Sequence, residues 1–149
     1  MKILTLDEGK EWLANRSLQL ISSSQPHKLF NSFVMYEYPK GMGQAIGLVK
    51  GLAMRFALEE SQFYLWIKDW SAYPSHANMD LFYGYRKSLG EERYLIDAPF
   101  HIIEKNEIEK LESLLGLCVY FLWDSIVGTA KGDIALSTSN DEVFDLYAN

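Results

Sequence analysis

The sequence predicts a single α+β domain, with a mixed or mainly antiparallel sheet covered by helices and a C-terminal β-hairpin followed by a short helix. Three observations lead there. The chain has 149 residues, the usual span of one domain, and no repeat or low-complexity tract divides it. Stretches with apolar residues three and four apart interleave with short β-branched and aromatic runs, so helices and strands share one chain. The last two strand-like runs are joined by a short turn, which argues against a purely parallel sheet.

Asp7 to Arg16 reads as a helix, with Asp7 as N-cap and acids in the first turn. Ser22-Ser23-Ser24-Gln25-Pro26 breaks the chain, and Leu29 to Tyr38 is an aromatic, β-branched run that stops at Pro39 as a strand does. From Gln44 to Leu58, Ala45, Leu48, Val49, Leu52, Ala53, Phe56 and Ala57 fall on one helical face. Gln62 to Lys68 is nearly all apolar, the pattern of a central strand. Ala77 to Leu89 reads as a helix ended by Gly90. Tyr94 to Ile103 is strand-like but interrupted by Pro99, which leaves it ambiguous. Asn106 to Cys118 is the clearest helix, with Ile108, Leu111, Leu114, Leu115 and Cys118 on one face. Val119 to Val127 and Asp133 to Ser137 read as a hairpin across Gly128 to Gly132. Asp141 to Tyr147 closes the chain as a short helix capped by Ser139 or Asn140.

Composition bounds the function. Aromatics make up 14% of the chain, enough large side chains to fill a core without staples. The single cysteine, Cys118, excludes an intrachain disulfide and any cysteine-rich metal framework. No run approaches the ~20 apolar residues of a membrane span. The start, Met1 to Glu8, lacks the apolar core of a signal peptide, so the reducing cytoplasm is the expected compartment, with no membrane partner. The net charge is −6. Residues 61–149 hold 14 acids against 7 bases, and none of the bases lies after Gly132, so nucleic acid is disfavoured and a basic protein surface is favoured.

No motif in the chain names a chemistry. Gly41-Met42-Gly43-Gln44-Ala45-Ile46-Gly47 superficially resembles a dinucleotide-binding turn, but its third glycine is one place late and Pro39 intervenes; glycines in a strand-to-helix turn are the simpler reading. His27, His76 and His101 have no ligand spacing, and no metal or other cofactor is expected. Asp97 or Asp124 could pair with His101 as acid and base, in a pocket with Trp70 and Trp123. There is no Gly-x-Ser-x-Gly elbow, and Cys118 lies on an apolar face that disfavours its thiolate. Glu91-Glu92 and Asp141-Glu142 are adjacent acids in polar segments, commoner as solvated residues than as a glycosidase pair. Trp66 to Ser75 is the most unusual segment: strand alternation puts Trp66, Lys68 and Trp70 on one side, and with Tyr73 they could form a binding face.

Three stretches, Trp66-x-x-x-Trp70-x-x-x-Pro74-Ser75, Asp97-Ala98-Pro99-x-His101, and Trp123-Asp124 with Ser139-Asn140-Asp141-Glu142, resemble a pattern in a family of small bacterial proteins. Phe100 and Leu122 stand where that pattern has glycines, and Asn140 where it has histidine. The resemblance implies no activity, substrate or cofactor; it nominates positions. In size, acidity and aromatic content the chain is also similar to bacterial toxin-immunity proteins. The expectation is a non-catalytic protein-binding factor using Asp141, Glu142 and the aromatics from Trp66 to Tyr73, its partner a basic protein such as a toxin. The alternative is a small enzyme or ligand-binding domain around Trp70, His101, Trp123 and Asp124.

Overall fold

Among the described residues, seven strands join in one antiparallel sheet in the order β1-β4-β3-β5-β6-β7-β2. The computed structural model describes residues 1–18, 30–70 and 75–149. The strands are β1 (Lys2–Leu4), β2 (Ser32–Glu37), β3 (Gln62–Asp69), β4 (Phe100–Glu104), β5 (Asp124–Thr129), β6 (Ile134–Thr138) and β7 (Val143–Ala148). The helices are α1 (Leu6–Ala14), α2 (Met42–Glu59), α3 (His76–Ser88) and α4 (Ile108–Phe121), the last led in by a 3-10 turn at Lys105–Glu107. The fold is α+β, as the interleaved patterns predict.

Strand alternation sorts the core into two layers. On one face Phe63, Leu65 and Ile67 of β3 pack with Val127 and Leu136 under Val49, Ala53 and Phe56 of α2 and Leu111, Leu114, Leu115 and Cys118 of α4. On the other face Tyr64, Phe100, Ile102, Ile126 and Tyr147 pack under Leu13 of α1.

The structure corrects several boundaries. The first helix is capped by Thr5, not Asp7: the Thr5 hydroxyl accepts the Glu8 amide while the Glu8 carboxylate accepts the Thr5 amide, a capping box two residues upstream. Residues 119–121 belong to α4 rather than to a strand, because the apolar period of Leu111, Leu115 and Cys118 runs on without a breaker. The expected closing helix over Asp141 to Tyr147 is strand β7. Its alternation (Phe144, Leu146 and Ala148 on one face, Val143, Asp145 and Tyr147 on the other) is satisfied by pairing with β6 and β2 on both sides. Ser139 to Glu142 is therefore a hairpin turn, closed by the Ser139 amide on the Val143 carbonyl at 3.0 Å.

Register places distant segments at one end of the sheet. Asp69 closing β3 lies opposite Asp124 opening β5, and Ser125 opposite Thr138 closing β6. Phe144 near the start of β7 lies opposite Thr138, Glu37 at the end of β2 opposite Val143, and Phe100 opening β4 opposite Trp66. Trp66, Phe100, Asp124 and the Ser139–Glu142 turn therefore meet at that end, while residues 71–74, Tyr73 among them, lie outside the described residues.

Candidate functional site

A cleft of about 510 Å³ opens at this same end, on the helix side, between the start of α2 and the last turns of α4. Pro39 ends β2, and Gly41, extended at φ −98° and ψ 130°, turns the chain into α2 without a side-chain cap. At the other wall Leu122 takes the left-handed conformation (φ 58°), and the Trp123 amide returns to the Cys118 carbonyl at 2.9 Å, so α4 stops and β5 begins. Ala45 and Val49 of α2 face Gly116 and Val119 of α4 across the hollow, with Leu122 at its end. Gly116 widens it: a Cβ placed there would meet no neighbouring atom within 4 Å.

The lips are apolar and exposed, with Met42, Ile46 and Tyr120 more than half open to solvent. Around them lie four charges: Lys40 just before α2, Lys50 within it, Glu112 of α4 and Glu142 of the β6–β7 turn. Among the described residues these four form no ion pair with one another or with anything else. Tyr38 lines the inner wall; burial pushes its phenol above the usual range, and its hydroxyl lies near Thr138 and Ser139 without completing a hydrogen bond.

Of the described residues nominated from sequence, Glu142 alone lines the cleft, with Asp141 exposed beside it. Glu142 is held by its own carbonyl, which accepts the Tyr38 amide at 2.7 Å. Asp124 accepts the Asn140 amide through Oδ1 at 2.9 Å and so anchors the turn. Trp123 is sealed, its ring edge-on to Phe82 at 5.1 Å between centroids. Trp66 and Trp70 do not share a face: a bulge between Ile67 and Asp69 shifts the register, so Trp70 packs on the helix-side core and Trp66 on the opposite one.

His101 is fully buried. Its Nδ1 lies 3.3 Å from the Leu65 carbonyl, which can only accept, so Nδ1 carries the proton and Nε2 is left without a partner. Burial, reinforced by the Arg86 charge, depresses the imidazole to about 3, leaving it neutral. Arg86 is equally buried; its Nη2 donates to the Ala98 carbonyl at 3.0 Å while Nε and Nη1 are unpartnered. Cys118 is enclosed in the core, where burial pushes its thiol up to about 12. His101 and Trp123 thus lie in the interior rather than on a pocket shared with Trp70 and Asp124. Among the described residues no three His, Cys, Asp or Glu side chains gather as a metal set, and no helix is long and apolar enough to cross a membrane.

The glycine run also resolves. Gly43 and Gly47 lie inside α2, leaving Gly41 alone as the turn, so no loop of amides cradles a phosphate. Sequence reasoning missed the α4 wall, whose one local signal is Gly116 within an apolar helix. No known protein family, curated protein or solved structure matches this chain.

Proposed function

We propose that the protein is a non-catalytic binding protein that seats a segment of a basic protein partner at the α2–α4 cleft and the adjoining Ser139–Glu142 turn. The observation that carries this reading is the cleft itself, an apolar hollow whose lips expose Met42, Ile46 and Tyr120. Exposed apolar patches of this kind, rimmed by polar groups, mark interaction sites. His101 and Cys118 are by contrast buried and neutral, His101 depressed to about 3 and Cys118 raised to about 12. The charge of −6, with no lysine or arginine after Gly132, favours a basic partner. A bacterial toxin held inactive in the cytoplasm by its immunity factor is the specific form of this reading.

The test is partner capture from a lysate of the source cells at low and high salt, by the wild-type protein and by Gly116→Leu. That variant fills the cleft from a position with free space and replaces a mid-helix glycine, so it raises helix propensity by about 1 kcal/mol while blocking the site. A partner held by the wild type, weakened by salt and lost in the variant is the expected result. Recovery of no protein, or of the same protein by both forms, sinks the reading.

A further inference from the structure

We propose that β2 pairs with β2 of a second copy of this chain, antiparallel and across a two-fold axis at Met35, so that one sheet runs through both copies. This concerns the edge of the sheet, whatever fills the cleft, and goes beyond the binding reading above. The two edge strands, β1 and β2, differ. β1 is three residues long and carries Lys2, both of which guard an edge against strand addition. β2 is six residues long, with no lysine, arginine or proline, and every one of the six is exposed. Phe33, Val34, Met35 and Tyr36 therefore stand, large and apolar, along an edge that no helix covers among the described residues. Such an edge is a template for another strand.

The ladder fixes which backbone groups face outward. Just past β2, the Tyr38 amide donates to the carbonyl of Glu142, and Tyr38 keeps the register in which Glu37 faces Val143. Even-numbered residues of β2 therefore bond to β7, while Met35 and Glu37 turn their amides and carbonyls away from it. Pro39, next in that alternation, has no amide and ends the outward row. With the axis at Met35, the two Met35 residues exchange both backbone bonds, Val34 lies opposite Tyr36 of the second copy, and Glu37 lies opposite Phe33. Aromatic and β-branched side chains opposite one another are favourable cross-strand pairs. Charge decides for a second copy. The net charge of −6 repels two copies in general, yet pairing β2 with itself sets no like charges opposite each other, because its only acid, Glu37, meets an aromatic ring. A basic partner strand would find that single acid along the whole edge, so its charge gains it little here.

Sedimentation velocity over a range of concentrations tests this. The wild type is expected to dimerise with a Kd of roughly 10–100 μM, as befits an interface of one short strand pair. Met35→Lys sets two ammonium groups opposite each other on the axis and should weaken the dimer about tenfold or more. Met35→Pro removes an outward amide, leaves the bonds to β7 in place and should abolish the dimer. Circular dichroism checks that both variants fold, and Met35→Lys, at a position 60% exposed, carries the test if Met35→Pro does not. Cross-linking reads the register, with oxidised glutathione as the electron acceptor. Met35→Cys brings two Cα atoms to about 5.5 Å across the axis, within reach of a disulfide. Val34→Cys leaves them on a diagonal of about 7–8 Å, beyond that reach. Cys118, buried in the core, does not compete. A monomer at every concentration, association indifferent to both Met35→Lys and Met35→Pro, or equal cross-linking at the two positions overturns the inference. A fluorescein-labelled extended peptide of alternating valine and lysine covers the other occupant: if it binds this edge while the protein stays monomeric, the second copy is wrong and the edge seats a partner strand.

Discussion

The Thr138 hydroxyl donates to the Trp123 carbonyl at 2.8 Å while accepting the Ser125 amide at 3.0 Å. The Ser125 hydroxyl, 2.7 Å away, completes the set. One buried side chain thus joins the start of β5 to the end of β6, and the Trp123-Asp124 stretch is a joint that aims the Ser139–Glu142 turn at the cleft. Thr138→Val keeps the shape and strands these groups in the interior, so it is expected to cost about 2–3 kcal/mol in urea unfolding. Thr138→Ser, which keeps the hydroxyl, should cost about 1 kcal/mol. Equal stability of Val and Thr would remove this role.

His101 predicts an acid limb in the stability curve. Its folded value is about 3 against 6.5 for the free side chain, so between those two the unfolded chain binds a proton that the folded chain excludes. Stability should therefore fall as pH drops below about 6.5 and level off near 3, by roughly 4–5 kcal/mol in all. Arg86 deepens the depression and Glu91 opposes it. His101→Asn, which keeps an N–H for the Leu65 carbonyl, should flatten this limb in urea titrations between pH 7 and 4. Arg86→Met should also lessen it. Because two guanidinium nitrogens lack partners, its stability at pH 7 should equal the wild type's or exceed it by about 1 kcal/mol.

Segments with strong periods and clear breakers were legible in the sequence. The apolar face from Ala45 to Ala57 lies within α2, and Gln62 to Lys68 within β3. What escaped depends on partners elsewhere in the chain. β1 is three residues long and has no pattern of its own; it exists by pairing with β4. β7 carries two turn-forming acids just before it, equally good as a helix cap, and only two-sided pairing decides for strand. The Trp66–Trp70 face was lost to one bulge, since a single extra residue exchanges the faces beyond it. The cleft joins α2 to α4 across more than fifty residues of sequence, so no local motif could announce it.

The second core layer is fitted around two glycines. Tyr64 and Phe100 stack at 5.5 Å with their planes 9° apart. A Cβ on Gly128 would come within 2.4 Å of the Tyr64 ring, and one on Gly9 within 2.4 Å of the Phe100 ring. Gly128→Ala should cost about 2–3 kcal/mol through forced displacement of the ring, and a Tyr64→Val background should recover most of it. At Gly9, inside α1, alanine gains about 1 kcal/mol of helix propensity, which the clash outweighs, so a net loss of about 1–2 kcal/mol is expected. Thermal unfolding of the three variants checks both, and a Gly9→Ala protein more stable than wild type would mean that Phe100 yields freely.

Glu142 separates backbone from charge at the rim. Its φ of 60° is left-handed, a conformation that costs an L-residue roughly 1–2 kcal/mol, while glycine there loses about 0.5–1 kcal/mol of chain entropy. The strain is the larger quantity, so Glu142→Gly should match the wild type or gain up to about 1 kcal/mol in thermal unfolding. Glu142→Ala, which keeps the strain, should gain nothing. Both remove the same carboxylate from the rim of the cleft. Both should therefore weaken capture of a basic partner by about twofold to threefold, the size of a single rim charge. If Gly and Ala differ in binding as they do in stability, the turn conformation sets the affinity; if they agree, the charge does.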